Sequence, residues 1–270
     1  KLVFNYPILE KIVARFKHKE VRSMTQEERT RISRELIIKG AIREFSRHGY
    51  ENASINRLCT DNGISKGRLF HHFQNKDEIY TVAVQDCYEA LCRHTAAFRP
   101  SPDCSLETNF HMYFAYRQQF FLEQKYGALL MYQAIQQPPE ILKAEIGKIR
   151  EQFAACNLAV LKDIFEHSTQ EIICADQRLA MQAFHVASYF IHLHVGYPNW
   201  NPEKDMRPVT EHSLEVFDQI VRMLLYGILP RRDGPSTPLE SDLIDRSLAR
   251  AAETQQKPAA EGGAQEEDLT

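Results

Sequence analysis

The chain has 270 residues, of which 43% are hydrophobic and 26% charged. That is enough for two compact domains and too balanced for disorder throughout. No apolar stretch approaches the roughly 18 to 20 residues of a membrane-spanning helix. The six cysteines (59, 87, 92, 104, 156 and 174) contain no Cys-x-x-Cys pair, which speaks against a zinc ribbon or disulfide scaffold and for reduced, mostly buried thiols.

The net charge of −3 conceals a division along the chain. Residues 1–76 carry sixteen Lys or Arg against eight Asp or Glu, residues 77–230 twelve against nineteen, and residues 231–270 five against nine. A basic head on an acidic body points to a polyanion as the head's partner. Residues 1–23 mix Leu2, Val3, Phe4, Ile8, Leu9, Ile12, Val13 and Phe16 with Lys11, Arg15, Lys17 and Lys19. They read as an N-terminal extension (a short basic amphipathic arm) or as a mis-assigned start, because Met24 stands directly before a well-formed domain; they lack the unbroken apolar run of a secretory signal.

From Thr25 the pattern is helical. Ile32, Leu36, Ile37, Ala41 and Phe45 recur at three-to-four spacing, and His48-Gly49 ends that helix, glycine supplying the left-handed backbone of a helix terminus. Ser54 is expected to cap a short helix from Ile55 to about Asp61. Asn62-Gly63 breaks it, Ser65 caps a third helix, and Asn75 with Glu78 forms a capping box for a fourth. Two short capped helices joined through a glycine make a helix-turn-helix.

In the third helix, Ile64, Leu69 and Phe73 fall on the face toward Phe45, Ile55 and Leu58. Lys66, Gly67, Arg68, His71 and His72 are left facing outward, long donors and a small residue suited to a major groove about 12 Å wide. Phosphate grip is expected from Lys76 at the start of the fourth helix, and from Ser54 and Arg57 at the front of the second. His71 and His72, about 100° apart around a helix, are not expected to face each other as metal ligands.

These residues resemble the tetracycline-repressor (TetR) family of transcriptional regulators. The resemblance runs through Ala41-x-x-x-Phe45, Gly49-Tyr50, Ser54-Ile55, Leu58, Gly63-Ile64-Ser65-Lys66-Gly67, Leu69-Phe70-His71-His72-Phe73 and Asn75-Lys76-Asp77-Glu78-Ile79. It implies an all-α fold, with a three-helix DNA-binding domain (24–75) and a helical ligand-sensing and dimerisation domain (76–230). It further implies a homodimer that releases a palindromic double-stranded operator when a small-molecule effector binds, working in the bacterial cytoplasm at the nucleoid. Ser65 caps the reading helix in this pattern. Position 70 is usually a tyrosine whose hydroxyl contacts a phosphate, so Phe70 keeps the place without that contact. Leu58-Cys59 replaces the usual Ile-Ala.

A Pro/Ser-rich joint, 99–105, reads as a domain boundary. Helices are then expected over 105–123, 127–136, 139–168, 175–195 and 209–229, broken at Pro138-Pro139 and from Tyr197 to Pro208. The last two are the expected dimer interface, and the fourth helix, from Lys76 to about Thr95, the lever to the head. Phe110, Tyr113, Phe114, Tyr116, Phe120 and Phe121 put rings on more faces of one helix than a single core stripe takes. Core packing is the commoner cause of such a run. The alternative is a pocket wall of Phe114, Arg117 and Phe121, with Tyr132, His185 and Tyr189 adding polar groups, for an anionic or carbonyl-bearing effector.

No cofactor and no metal site is expected: His185 and His192 share a face at seven residues, not the three or four of a ligand pair. Enzyme motifs are absent from the sequence, which leaves an enzyme with a vestigial head as a weaker reading. An activator, or a regulator controlled by a protein partner, is the nearer alternative. The polar stretch 231–270 is expected to be largely disordered, with one weak helix around Leu239–Leu248.

Overall fold

Thr25 opens the first helix with a reciprocal cap. Its hydroxyl accepts the Glu28 amide at 3.2 Å while the Glu28 carboxylate accepts the Thr25 amide at 2.8 Å, satisfying two donors that a helix start leaves bare. The computed structural model describes residues 25–167 and 177–225, and every regular element among them is helical. The expected extension 1–23, the tail 231–270 and residues 226–229 of the last helix lie outside the described residues.

Four helices come first: α1 (Gln26–Asn52), α2 (Ile55–Asp61), α3 (Lys66–His72) and α4 (Lys76–Ala96). Gly49 has φ +70 and ψ 170, a region essentially reserved for glycine. The helix bends there and runs one more turn to Asn52, rather than stopping at Gly49. Gly63, at φ +63, turns the chain between α2 and α3. At the head of α4 the cap differs slightly from expectation. Asn75 Oδ1 accepts the Glu78 amide at 2.9 Å, but Glu78 accepts from the Gln74 amide, one residue before the cap.

Five more helices follow: α5 (Leu106–Glu123), α6 (Lys125–Gln136), α7 (Lys143–Glu166, after a 3-10 turn at Glu140–Leu142), α8 (Gln177–Ile191) and α9 (Arg207–Leu225). A π-helical turn, His192–Gly196, and a 3-10 turn, Tyr197–Asn199, follow α8. Pro208 belongs to the first turn of α9 instead of the preceding break, since a helix start has no use for its missing amide hydrogen.

The chain separates into two compact units between Ala83 and Val84, inside α4, rather than at Asn75–Lys76. The 99–105 joint is no boundary either; it is built into the second unit. Buried Asn109 holds it, accepting from the Ser101 amide at 2.8 Å and donating to the Ser101 carbonyl at 2.9 Å. One buried side chain thus satisfies backbone groups that a loop would otherwise leave to water.

The core of the second unit is centred on α5. Phe110 stacks on Phe184 of α8 with ring centroids 4.0 Å apart, Phe114 on Phe217 of α9 at 3.7 Å, and Tyr116 on His94 of α4 at 4.0 Å. All six aromatic residues of the run are buried. The expectation that they cover too many faces for a core therefore fails: α5 is enclosed by its neighbours, so nearly every face is an inner face.

Candidate nucleic-acid interface

The head is assembled on Phe45, Leu58, Leu69 and Phe73, all buried, with Ile64 closing the turn. Gly40 of α1 lies so near Asn62 that a Cβ there would sit 2.7 Å from the Asn62 amide nitrogen. Asn62 in turn donates to the Leu58 carbonyl at 2.8 Å, closing the end of α2. Ser54 and Ser65 cap α2 and α3 as their positions suggest, accepting from Arg57 and Arg68 amides at 3.4 and 3.3 Å.

On α3 the amphipathic division is sharp. Ser65, Lys66, Gly67, Arg68, Phe70 and His71 are exposed, Leu69 is fully buried, and His72 lies between. Nothing comes within 4 Å of a Cβ built on Gly67, so a smooth patch stands between Lys66 and Arg68. Phe70 is 51% exposed, an apolar ring displayed among cations. The rings of His71 and His72 approach to 5.4 Å, edge to face; their side chains fold together even though their Cβ directions diverge. Burial, with the positive groups of His71, Arg34 and Arg68 nearby, holds His72 below the usual histidine pKa.

Two expected phosphate groups are engaged inside the head. Arg57 donates from Nε to both carboxylate oxygens of Glu44 at 3.0 Å and from Nη2 to Oε1 at 2.5 Å, and it also reaches the Asn52 carbonyl at 3.1 Å. Glu44 is 6% exposed and also accepts the Ser54 amide at 2.7 Å. Burial by itself would raise its pKa. The Arg57 and Ser54 hydrogen bonds, with the charges of Arg57 and His48, overcome this and hold it below 4.5. Arg57 thus ties the start of α2 to Glu44 of α1 while its side chain stays 39% exposed. Lys76 donates to the Glu51 carbonyl at 3.1 Å and lies 4.8 Å over the Tyr50 ring. Tyr50 donates to Asp77 at 2.5 Å, which pushes its hydroxyl pKa up to about 12. The Glu44–Arg57 and Tyr50–Asp77 partnerships do not stand out in the sequence, because each joins positions that no helical period relates.

In the second unit, Arg117 is 3% exposed, and its guanidinium stands 5.7 Å from the Phe114 centroid and 5.9 Å from that of Phe121. Among the described residues of that unit it is the one charged side chain that is buried. Beside it, Tyr113 donates to Asn157 at 2.5 Å, and the Asn157 amide meets His185 Nδ1 at 2.7 Å. Burial and the Arg117 charge depress the His185 pKa. Tyr189 accepts from Arg150 at 2.5 Å and stacks along His185 at 6.5 Å. The structure thus gathers Phe114, Arg117 and Phe121, sets His185 and Tyr189 side by side, and places Tyr132 half-buried on α6. Sequence reading missed Tyr113 and Asn157 as the polar link among them. Across α8 and α9, Val186, Phe190 and Met223 are exposed, the last at 74%; Gln182, Ala183, Val186, Ala187, Phe190 and Ile220 line a shallow apolar groove.

Residues 37–82 match the profile described as bacterial regulatory proteins, tetR family. Over 54 residues the chain is 41% identical to the HTH-type transcriptional repressor AcnR of Corynebacterium efficiens, covering 20% of this chain and 29% of that one. The chain therefore spans under a third of that relative's length. Its fold is similar to that of a crystal structure described as a putative TetR-family transcriptional regulator from Mesorhizobium loti, with TM-score 0.54, 15% identity and 77% of this chain and 100% of that one covered. It is also similar to FadR of Bacillus subtilis in complex with stearoyl-CoA, with TM-score 0.51, 14% identity and coverage of 67% and 96%.

Proposed function

We propose, for a chain whose N-terminal head belongs to the TetR family of bacterial regulatory proteins, that it represses transcription by reading a palindromic operator as a homodimer. The observation that carries this reading is α3 itself: a capped helix whose outward side is Lys66, Gly67, Arg68, Phe70 and His71, with Leu69 anchoring the inward side. Lys66 and Arg68 supply base-edge donors, Gly67 permits close approach, and Phe70 offers an apolar contact. We assign Ser54, Ser65, His72 and Lys76 to the same interface, the caps and Lys76 positioning the helix against phosphates without reading sequence.

A second copy of the chain covers the apolar faces of α8 and α9, where Val186, Phe190 and Met223 stand exposed. Two heads about one DNA turn apart, roughly 34 Å, then read two half-sites. The effector enters the α5 core, where Arg117 among aromatic rings suits an apolar ligand with an anionic or carbonyl head; the stearoyl-CoA named with FadR belongs to that class. Because those rings are stacked in contact, the effector must open the core to bind, and it shifts the head only by preferring that opened state. The chain acts by binding rather than by turnover, in the cytoplasm. Among the described residues, no helix is long and apolar enough to cross a membrane.

The test compares specific and random duplexes. Lys66→Ala and Arg68→Ala each lose about 1–3 kcal/mol on the preferred site and little on random DNA, whereas Lys76→Ala weakens both alike. Equal losses on both duplexes for Lys66→Ala and Arg68→Ala would refute base reading by α3.

A further inference from the structure

Among the described cysteines, Cys59, Cys87 and Cys104 are buried, whereas Cys92 on α4 and Cys156 on α7 are only partly so. These two lie 64 positions apart in sequence yet meet in the fold. The Cys156 thiol donates to the Cys92 carbonyl at 3.6 Å and lies 3.8 Å from the Thr95 hydroxyl, one turn along α4. Two partly exposed cysteines on separate helices, with the sulfur of one against the backbone of the other, are candidates for a disulfide.

We propose that Cys92 and Cys156 are a reversible dithiol–disulfide site that staples α4 to α7 by exchange with a small-molecule disulfide. The Cys156 sulfur, as thiolate, attacks one sulfur of RSSR. That forms a mixed Cys156–S–SR bond and expels RS⁻, which takes up a proton. The Cys92 thiol then gives up its proton and attacks the Cys156 sulfur, expelling the second RS⁻. The net change is two protein thiols and one RSSR to one protein disulfide and two RSH, the protein oxidised and the small disulfide reduced.

The order of attack follows from the environment. Burial, together with the neighbouring Cys156 sulfur and Glu89, pushes the Cys92 pKa up to about 12. Cys92 is thus a poor first nucleophile and acts once the mixed disulfide stands beside it. The site gives the chain an input from the thiol–disulfide balance of its surroundings that needs no bound effector.

The test uses the full chain and no DNA, so its failure leaves the DNA-reading proposal intact. The reduced protein is incubated with oxidised glutathione at mildly alkaline pH and denatured, remaining thiols are blocked with iodoacetamide, and the peptides are mapped by mass spectrometry. The expected result is one linked pair joining the Cys92 and Cys156 peptides, reversed by dithiothreitol. The thermal transition followed by Trp200 fluorescence rises by several degrees on linkage, since the bond closes a long loop. Both cysteines remaining open to alkylation, or either one linking to Cys174 or to a second chain, would overturn the proposal. Cys156→Ser should leave Cys92 fully alkylatable after the same treatment; a Cys92 disulfide formed in that variant would equally count against it.

Discussion

Replacing Arg57 with alanine distinguishes a brace from a DNA contact. The guanidinium makes three contacts of 2.5–3.0 Å with a carboxylate that is only 6% exposed. Charge-assisted hydrogen bonds contribute about 1.5–3 kcal/mol each in favourable settings, and breaking a fully buried pair costs about 3–5 kcal/mol. Arg57 itself is 39% exposed, so solvent screening brings the expected loss to about 1–3 kcal/mol. The measurement is amide hydrogen exchange over α1 to α3, which reads the opening of the head without requiring the whole chain to unfold as one. In a Glu44→Gln background the buried charge is gone and Arg57→Ala should cost little, giving a coupling of about 1 kcal/mol or more. The Glu44 pKa is lowered from 4.5, so the pair's stabilisation is present above about pH 4.5 and is lost as pH falls through the lowered folded value. In DNA binding, Arg57→Ala should leave the dependence of log K on log salt unchanged. A slope smaller by about 0.9, with head exchange unaltered and no coupling to Glu44, would show that Arg57 holds a phosphate and that the bracing argument is wrong.

Gly49→Ala should destabilise the head by about 1–3 kcal/mol, because φ +70 with ψ 170 is nearly closed to a residue with a Cβ; unchanged exchange in α1 would refute it. Phe114→Ala should cost the second unit about 3–5 kcal/mol in a denaturant titration read by Trp200, since its ring lies flat on Phe217; a loss well under 1 kcal/mol would mark Phe114 as the wall of a preformed pocket. His94 and His185 have pKa values held below 6.5 by burial, so the unfolded chain binds more protons than the folded one as pH drops past about 6.5. The melting temperature of the second unit should fall between neutral pH and about pH 5, and a flat profile would contradict the burial of the neutral rings. Phe70→Tyr restores a hydroxyl at an exposed site and should tighten binding to all duplexes by about 1 kcal/mol, with fold stability unchanged; weaker binding would place the ring against an apolar surface.

Local signals were the legible ones. Ser54, Ser65 and Asn75 mark helix starts because a capping side chain serves amides two or three residues ahead, and such short offsets are visible in a sequence. The α3 division between Leu69 and its exposed neighbours likewise follows from helical period alone. What could not be read were partnerships across helices. Glu44 looks like one more charge on α1 until α2 brings Arg57 against it, and Cys92 looks isolated until α7 delivers Cys156. The aromatic run on α5 misled for the same reason: period shows which residues share a face, but not how many faces are covered. Only the positions of α4, α7, α8 and α9 around it make Phe110, Phe114 and Tyr116 all interior.

The central claim is that α3 enters DNA and reads base edges. Purified full-length protein should be offered a pool of random duplexes, and the retained sequences determined along with their affinity over a range of salt. An inverted repeat should be enriched, bound with an affinity that falls steeply as salt rises while phosphates recover their counterions. No enrichment, together with no binding to any duplex even in dilute buffer, would contradict it.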